Sequence, residues 1–379
     1  MISTRTSGTR PIRLSVDELT GAIEDSVTVL PIVVAVTALT PLSLPRVLLG
    51  FAVFQVVWGL HYRVPVSVEP MKALAALVIA GSLAVGELVA AGLLAGAVLL
   101  VVGRVGGLAR VQQVVSRPVV RGVQLAVALV LLQSAFDLSV GAPGLALAAV
   151  VVAGVACLLV SGNASTLAVL GLGVGVALVH ADAGAIAFAL PSLSVTLPNA
   201  SSLTTATAEG VVGQLAMTVG NAAVATSLLL SEYFDADVSP DELATSMGVM
   251  NLAAVPLGAL PMCHGSGGVA GKYAFGARTA GANLLLAGGY ALVALFAVGV
   301  VASFPLAMLG VLLALVAVEL GRGALRTDRL WLTVGVGLCG LLANVGVAFV
   351  AGVAVSLVVD RVRPALGIES VGSVESADS

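Results

Sequence analysis

Val64-Pro65-Val66-Ser67-Val68-Glu69-Pro70-Met71 returns 191 positions later as Val255-Pro256-Leu257-Gly258-Ala259-Leu260-Pro261-Met262. Both copies keep Val-Pro, four residues, then Pro-Met, in almost uniformly apolar surroundings. Proline lacks an N–H and clashes with the preceding turn, so this spacing interrupts a helix. An interruption at matching places in two halves of an apolar chain predicts a duplicated, broken membrane helix, where transporters bind their substrates.

The rest of the chain supports a membrane setting. Of 379 residues, 59% are hydrophobic and only 10% are charged. A soluble domain carries about a quarter charged residues. The net charge of −3 gives no footprint for nucleic acid. The first apolar stretch holds Glu24 and Asp25 and lacks a small-residue cleavage site, so no cleaved signal peptide is expected. Cys157, Cys263 and Cys339 stand at no metal-binding spacing and read as buried thiols. No metal, no cofactor and no enzymatic nucleophile–base pair is indicated.

Apolar runs of membrane length predict fourteen spans, with twelve as the alternative count. The first half gives 19–41, 45–61, 70–84, 86–103, 118–137, 142–160 and 163–180. The second gives 208–231, 241–258, 261–277, 280–301, 304–320, 329–342 and 343–359. Seven is odd, so the second half enters from the opposite face and the repeat becomes inverted. The fold class is thus an all-α polytopic membrane protein built as a 7+7 inverted repeat. The expected organisation is a tail at 1–18, the first repeat at 19–180, an external connection at 181–207, the second repeat at 208–359 and a polar tail at 360–379. Arg5, Arg10 and Arg13 precede span 1. Arg104, Arg110, Arg117 and Arg121 follow span 4, Arg322, Arg326 and Arg329 follow span 12, and Arg361 and Arg363 follow span 14. The positive-inside rule then puts both termini in the cytoplasm of a multi-pass cell-membrane protein. Arg46 is the main exception.

Each break is expected to place a helix N-terminus deep in the membrane. In the first copy Pro70 falls in the first helical turn. In the second, Val255 to Leu260 is extended and Pro261 opens the helix, with His264 in its first turn. A helix N-terminus carries roughly +0.5 charge and free N–H donors. Two of them facing each other, with Lys72, sum to about +2, which suits a doubly charged oxyanion. Pro70, Met71, Lys72, Met262, Cys263, His264 and Gly265 are therefore candidate substrate-binding residues. Gly265, Gly267 and Gly268 either let backbone approach the ligand or only allow close helix packing.

Ionisable residues inside a membrane are functional candidates because they are costly there. Asp25 is expected to face the cavity, the alternative being a structural partner that caps a broken helix. Glu69 reads either as a capping group or as a proton carrier, and these two acids are the proton-coupling candidates. Gln124, Gln214, Thr218 and Asn221 either hydrogen-bond the oxyanion or join helices to each other. Glu87 and Glu319 read as capping or snorkelling residues, and Arg278 as an interfacial anchor.

Ser67-Val68-Glu69-Pro70-Met71-Lys72-Ala73 and Pro261-Met262-Cys263-His264-Gly265-Ser266-Gly267-Gly268, continuing to Thr279, resemble the two signatures of the molybdate transporter family. Glu18-Leu19-Thr20-Gly21 through Leu30-Pro31 resembles its opening motif, and Arg121-Gly122-Val123-Gln124-Leu125 is also similar. The resemblance implies core and gate domains and oxyanion uptake. The expected activity is secondary active import of a tetrahedral oxyanion, molybdate first and sulfate second. The anion is held between the two half-helix N-termini, with alternating access and proton coupling. A nucleobase or carboxylate permease of the same fold, or an anion channel, is the alternative. The expected partners are the anion and the bilayer, with homodimerisation left open.

Overall fold

The computed structural model describes residues 11–160, 162–182, 184–192 and 194–365. Arg5, Arg10 and the polar tail beyond 365 lie outside them.

In the first half α1 (Val16–Leu39) and α2 (Leu44–Tyr62) lead into an extended stretch and β1 (Glu69–Pro70). The half continues with α3 (Lys72–Ile79), α4 (Val85–Arg104) and the short α5 (Leu108–Val114). It ends with α6 (Arg117–Val140), α7 (Pro143–Leu159) and α8 (Gly162–His180). In the second half α9 (Thr205–Met217), a π-helix (Thr218–Ala225) and α10 (Thr226–Phe234) form one long rod, followed by α11 (Pro240–Ala254). β2 (Met262–Cys263), α12 (Ser266–Ala274), α13 (Gly281–Phe296) and the short α14 (Val298–Ala302) come next. α15 (Leu306–Ala324), α16 (Leu330–Leu342) and α17 (Val345–Ala365) complete the described residues. Leaving out the short α5 and α14, and counting each broken segment once and the rod once, gives fourteen segments among the described residues. Among the described residues, six helices are long and apolar enough to cross a membrane alone: α1, α2, α4, α6, the α9–α10 rod and α15.

Local chemistry starts the helices where it should. Ser15 caps α1 by accepting the Glu18 N–H at 3.4 Å. Ser239 and Glu242 cap α11 reciprocally, with Pro240 at its start. Glu87 accepts the Ala84 N–H at 2.7 Å and the Thr204 hydroxyl at 2.6 Å, so it is the capping residue expected of it.

Helix pairing shows the inverted repeat directly. α2 packs on α13 and α4 on α11, while α1 packs on α12 and α3 on α9. Exchanging counterparts (α1 with the rod, α2 with α11, α3 with α12, α4 with α13) turns the first pair into the second and the third into the fourth, as a two-fold axis requires. These helices form the core domain. α6 packs on α15 and α16, α15 on α7 and α8, α7 on α8, and α16 on α17, which builds the gate. The antiparallel β1–β2 pair obeys the same axis. Pro70 stands opposite Met262, and the Met71 N–H donates to Pro261 O at 2.8 Å.

Three local expectations are corrected. Pro70 lies in β1, and α3 begins only at Lys72. Val255–Leu257 is a 3-10 turn continuing α11, not extended chain; Gly258, with φ of 86°, ends it in a left-handed conformation. His264 precedes α12, which opens at Ser266 behind the N-cap Gly265. Relative to its Pro-Met pair, the second half-helix thus begins three residues later than the first. Cys263 is buried, but Cys157 is exposed on α7 and Cys339 is only partly covered; all three are free thiols. Arg46, the exception to the arginine pattern, bonds the Ser194 and Ser192 hydroxyls and pins the 181–207 connection.

Candidate functional site

A cavity of about 200 Å3 lies where the two breaks meet the gate. The core contributes Glu69, Lys72, Cys263, His264, Gly265, Ser266 and Gly267. The rod adds Gln214, Met217 and Asn221, and α1 adds Thr28. From the gate come Arg121 and Gln124 on α6, and Glu319 and Leu320 on α15. Drug-sized ligands occupy about 300–1,000 Å3, so this is room for a small ion. No Phe, Tyr or Trp is among the described residues that line it.

Six of the residues expected to bind substrate line this space: Lys72, Gln124, Gln214, Asn221, Cys263 and Gly265. His264 does too, but its imidazole is committed elsewhere. Nδ1 lies 2.9 Å from Ser67 O, so it carries the proton and donates to that carbonyl. Nε2 lies 2.7 Å from Ser246 Oγ. The ring pins the first break to α11 rather than offering a free donor to an anion. Pro70, Met71, Met262 and Thr218 are not in the lining. Met71 and Met262 are buried, and Asn251 clasps Met262, accepting its N–H at 2.8 Å and donating to its carbonyl at 2.7 Å. Thr218 accepts from Gln214 Nε2 at 3.0 Å and sits behind it.

The electrostatics differ from the simple sum. Glu69 Oε2 holds Lys72 Nζ at 2.6 Å. Its Oε1 accepts the Gly268 N–H at 3.0 Å, so the carboxylate of the first break caps the half-helix of the second. Gln214 in turn caps α3, its Oε1 accepting the Ala73 N–H at 3.0 Å. At α12 the Ser266 and Gly267 N–H groups meet no acceptor among the described residues, so donors remain open there. With Glu69 ionised the positive balance falls from about +2 to about +1. Arg121 and Glu319 add one charge of each sign at the gate.

The glycines also find a sharper role. A Cβ at Gly265 would collide with the Glu69 carboxylate, and one at Gly268 with Asp25, Ser67 and Glu69. These two make room for the protein's own carboxylates. Gly267 faces open space and borders the cavity, so only there is backbone free to approach a ligand.

Asp25 does not face the cavity, which corrects its expected place. It is fully buried behind the first break and pairs with Lys272 at 3.0 Å. Ser67 Oγ lies 2.5 Å from Asp25 Oδ1 and 3.2 Å from Glu69 Oε1, linking the two carboxylates. Gln55 Nε2 reaches Asp25 at 3.3 Å, and Asn283 Nδ2 reaches Gln55 Oε1 at 2.5 Å. Sequence reasoning missed Lys272, although a lysine within an apolar half-helix is itself a signal. It also missed Arg121 and Glu319 as cavity residues, because both stand near span ends and read as loop or interface groups. Arg121 Nη1 donates to Gln124 Oε1 at 2.9 Å, and Gln124 Nε2 to Leu320 O at 2.9 Å. Asn221 Nδ2 donates to the same Gln124 oxygen at 3.1 Å, so Gln124 joins core to gate at the cavity wall. Arg278 stacks on Tyr273 at 3.9 Å and stays exposed, as an anchor should.

Glu18 shows why the opening motif belongs to this architecture. Its carboxylate accepts the Arg278, Thr279 and Ala282 N–H groups at 3.0, 2.8 and 3.0 Å, capping α13 across the repeat boundary.

The chain is similar to Molybdate transporter 1 of Arabidopsis thaliana, 29% identical over 397 residues, covering 90% of this chain and 87% of that one. Molybdate transporter 2 of the same plant is 27% identical over 363 residues, covering 81% and 78%. Among solved structures, the transmembrane domain of a cyanobacterium bicarbonate transporter, BicA, superposes with a TM-score of 0.65 at 17% identity. It covers 90% of this chain and 97% of that one, a likeness of fold alone. A family model described as "Molybdate transporter of MFS superfamily" matches residues 17–131 in the first repeat and 206–320 in the second. Those two segments make up more than half of the chain, which belongs to the molybdate transporter family.

Proposed function

We propose that the protein imports a tetrahedral oxyanion, molybdate before sulfate, by secondary active transport. The observation that carries this reading is the cavity where the Lys72 ammonium, the open N–H groups of Ser266 and Gly267, and the amides of Gln124 and Asn221 converge. A tetrahedral dianion takes hydrogen bonds from several directions, and a helix N-terminus is a ready anion site. The absence of stacking aromatics from the described lining weighs against a nucleobase.

Glu69 supplies a coupling device. It holds Lys72 at 2.6 Å, so an arriving dianion must compete for the ammonium. A proton on Glu69 Oε2 releases Lys72 and raises the positive balance from about +1 to about +2. Oε1 can keep the Gly268 N–H meanwhile, so the half-helix stays capped. Anion and proton then bind better together than apart and cross together. The core carrying Lys72 and Glu69 moves against the gate carrying Arg121.

The cavity is lined by Arg121 and Gly323, near the arginine-bearing start of α6 and end of α15. With both termini cytoplasmic in the cell membrane, this conformation faces inward. The test is uptake of labelled molybdate into proteoliposomes, with tungstate and sulfate as competitors, with and without a proton gradient. If none of the three anions is bound or transported, the reading fails. Flux indifferent to any co-ion gradient would make the protein a channel.

A further inference from the structure

Behind the site, Lys272 is a buried ammonium held by two oxygens. Its side chain and that of Asp25 are both 0% exposed. Nζ lies 3.0 Å from Asp25 Oδ2 and donates to the Val66 carbonyl at 2.8 Å. The charge therefore touches α1, through Asp25, and the extended part of the first break, through Val66, while its own backbone belongs to α12. Around it the polar cluster continues with Ser67, Gln55 and Asn283. Two oxygens on α13 remain without a hydrogen-bond partner: Asn283 Oδ1 and the Tyr290 hydroxyl. An ammonium has three N–H groups, and two acceptors are recorded for this one.

A buried carboxylate and a backbone carbonyl of the extended break are the kind of oxygen donors that hold a hard cation. Here the cation is covalent. We infer that Lys272 is a tethered cation filling a monovalent-cation site in the core, so that the transporter carries this charge permanently and needs no alkali ion to assemble its breaks. The pairing differs from Glu69–Lys72. That pair borders the cavity and can exchange with substrate; Asp25–Lys272 lies outside the lining and holds the scaffold on which the first pair stands.

Removing the side chain while keeping room for an ion tests this. Lys272→Ala leaves a space next to Asp25 that ammonium, methylammonium or sodium can enter; Lys272→Met fills the same space without charge. The readouts are the melting temperature of purified protein and molybdate uptake, in choline, sodium, potassium, ammonium or methylammonium at equal ionic strength. The expected result is that Lys272→Ala melts lower than wild type in choline. A saturable, cation-selective rise in one or more of the other salts then restores it, while wild type and Lys272→Met do not respond. If Lys272→Ala aggregates on extraction, the monodisperse fraction recovered with and without these cations is the same measurement. The inference is overturned if Lys272→Ala and Lys272→Met respond alike to every salt. It is overturned equally if Asp25→Asn with Lys272→Met retains wild-type melting and uptake in choline. It shares the transport reading only for its uptake arm; the melting arm stands even if molybdate proves not to be the cargo.

Discussion

Glu69, on the first break, accepts the Gly268 N–H of the second at 3.0 Å. The two repeats are therefore joined at the site by an acid of one capping the helix of the other. The approach is close because neither Gly265 nor Gly268 has a side chain. Replacing either by Ala drives a methyl into a carboxylate. Overpacking costs about 1–3 kcal/mol where neighbours can yield, and here the neighbours are pinned. Gly265→Ala and Gly268→Ala are expected to lower the melting temperature and abolish uptake. Gly267→Ala, facing open space, should fold normally and change only anion affinity.

Lys72 is expected to matter for substrate rather than for folding. A hydrogen bond to a charged group contributes about 1.5–3 kcal/mol, so Lys72→Ala should raise the KM for molybdate about ten- to a hundredfold. Lys72→Ala that transports with wild-type KM would remove the ammonium from the site.

Glu69→Gln separates coupling from capping. The glutamine oxygen can keep the Gly268 N–H, but the side chain neither binds a proton nor holds Lys72 by charge. Wild-type uptake should rise as the loading side becomes more acidic, since protonated Glu69 frees Lys72. The variant should show uptake that is nearly flat with pH and no accumulation driven by a proton gradient. A pH dependence unchanged from wild type would exclude Glu69 as the carrier.

Gln214 caps α3 and touches the cavity at once. Gln214→Ala should lose about 0.5–2 kcal/mol of stability, the range for a lost helix cap. Asn221→Ala, which breaks only the bond to Gln124, should leave melting almost unchanged and alter uptake. Parallel melting curves of the two variants decide it.

The membrane fold is written plainly along the chain. Apolar runs, two proline pairs and an odd number of spans per half are local or periodic signals, and they mark the broken helices and the inverted repeat. Lys72, Gln124, Gln214 and Asn221 were also visible, as polar residues on apolar helices. What one chain does not display is which way each helix is turned. Asp25 and Lys272 are 247 positions apart, and only packing reveals that they satisfy each other. His264 looked free until Ser67 and Ser246 were seen at its two nitrogens. The glycines after His264 advertised open backbone, but two of the three spaces are filled from the other repeat.

The ladder between the breaks sets Pro70 against Met262 and Met71 against Pro261, so exchanging the halves leaves it unchanged. The ionic groups do not follow that exchange: Glu69 and Lys72 belong to one half, and at the matching places the other has Leu260 and Cys263. A scaffold that can be turned over without noticing would rest equally facing either compartment. With Glu69 and Lys72 both on one arm, this one is expected to favour one side, and an ion arriving from inside should meet a different chemical face from one arriving from outside.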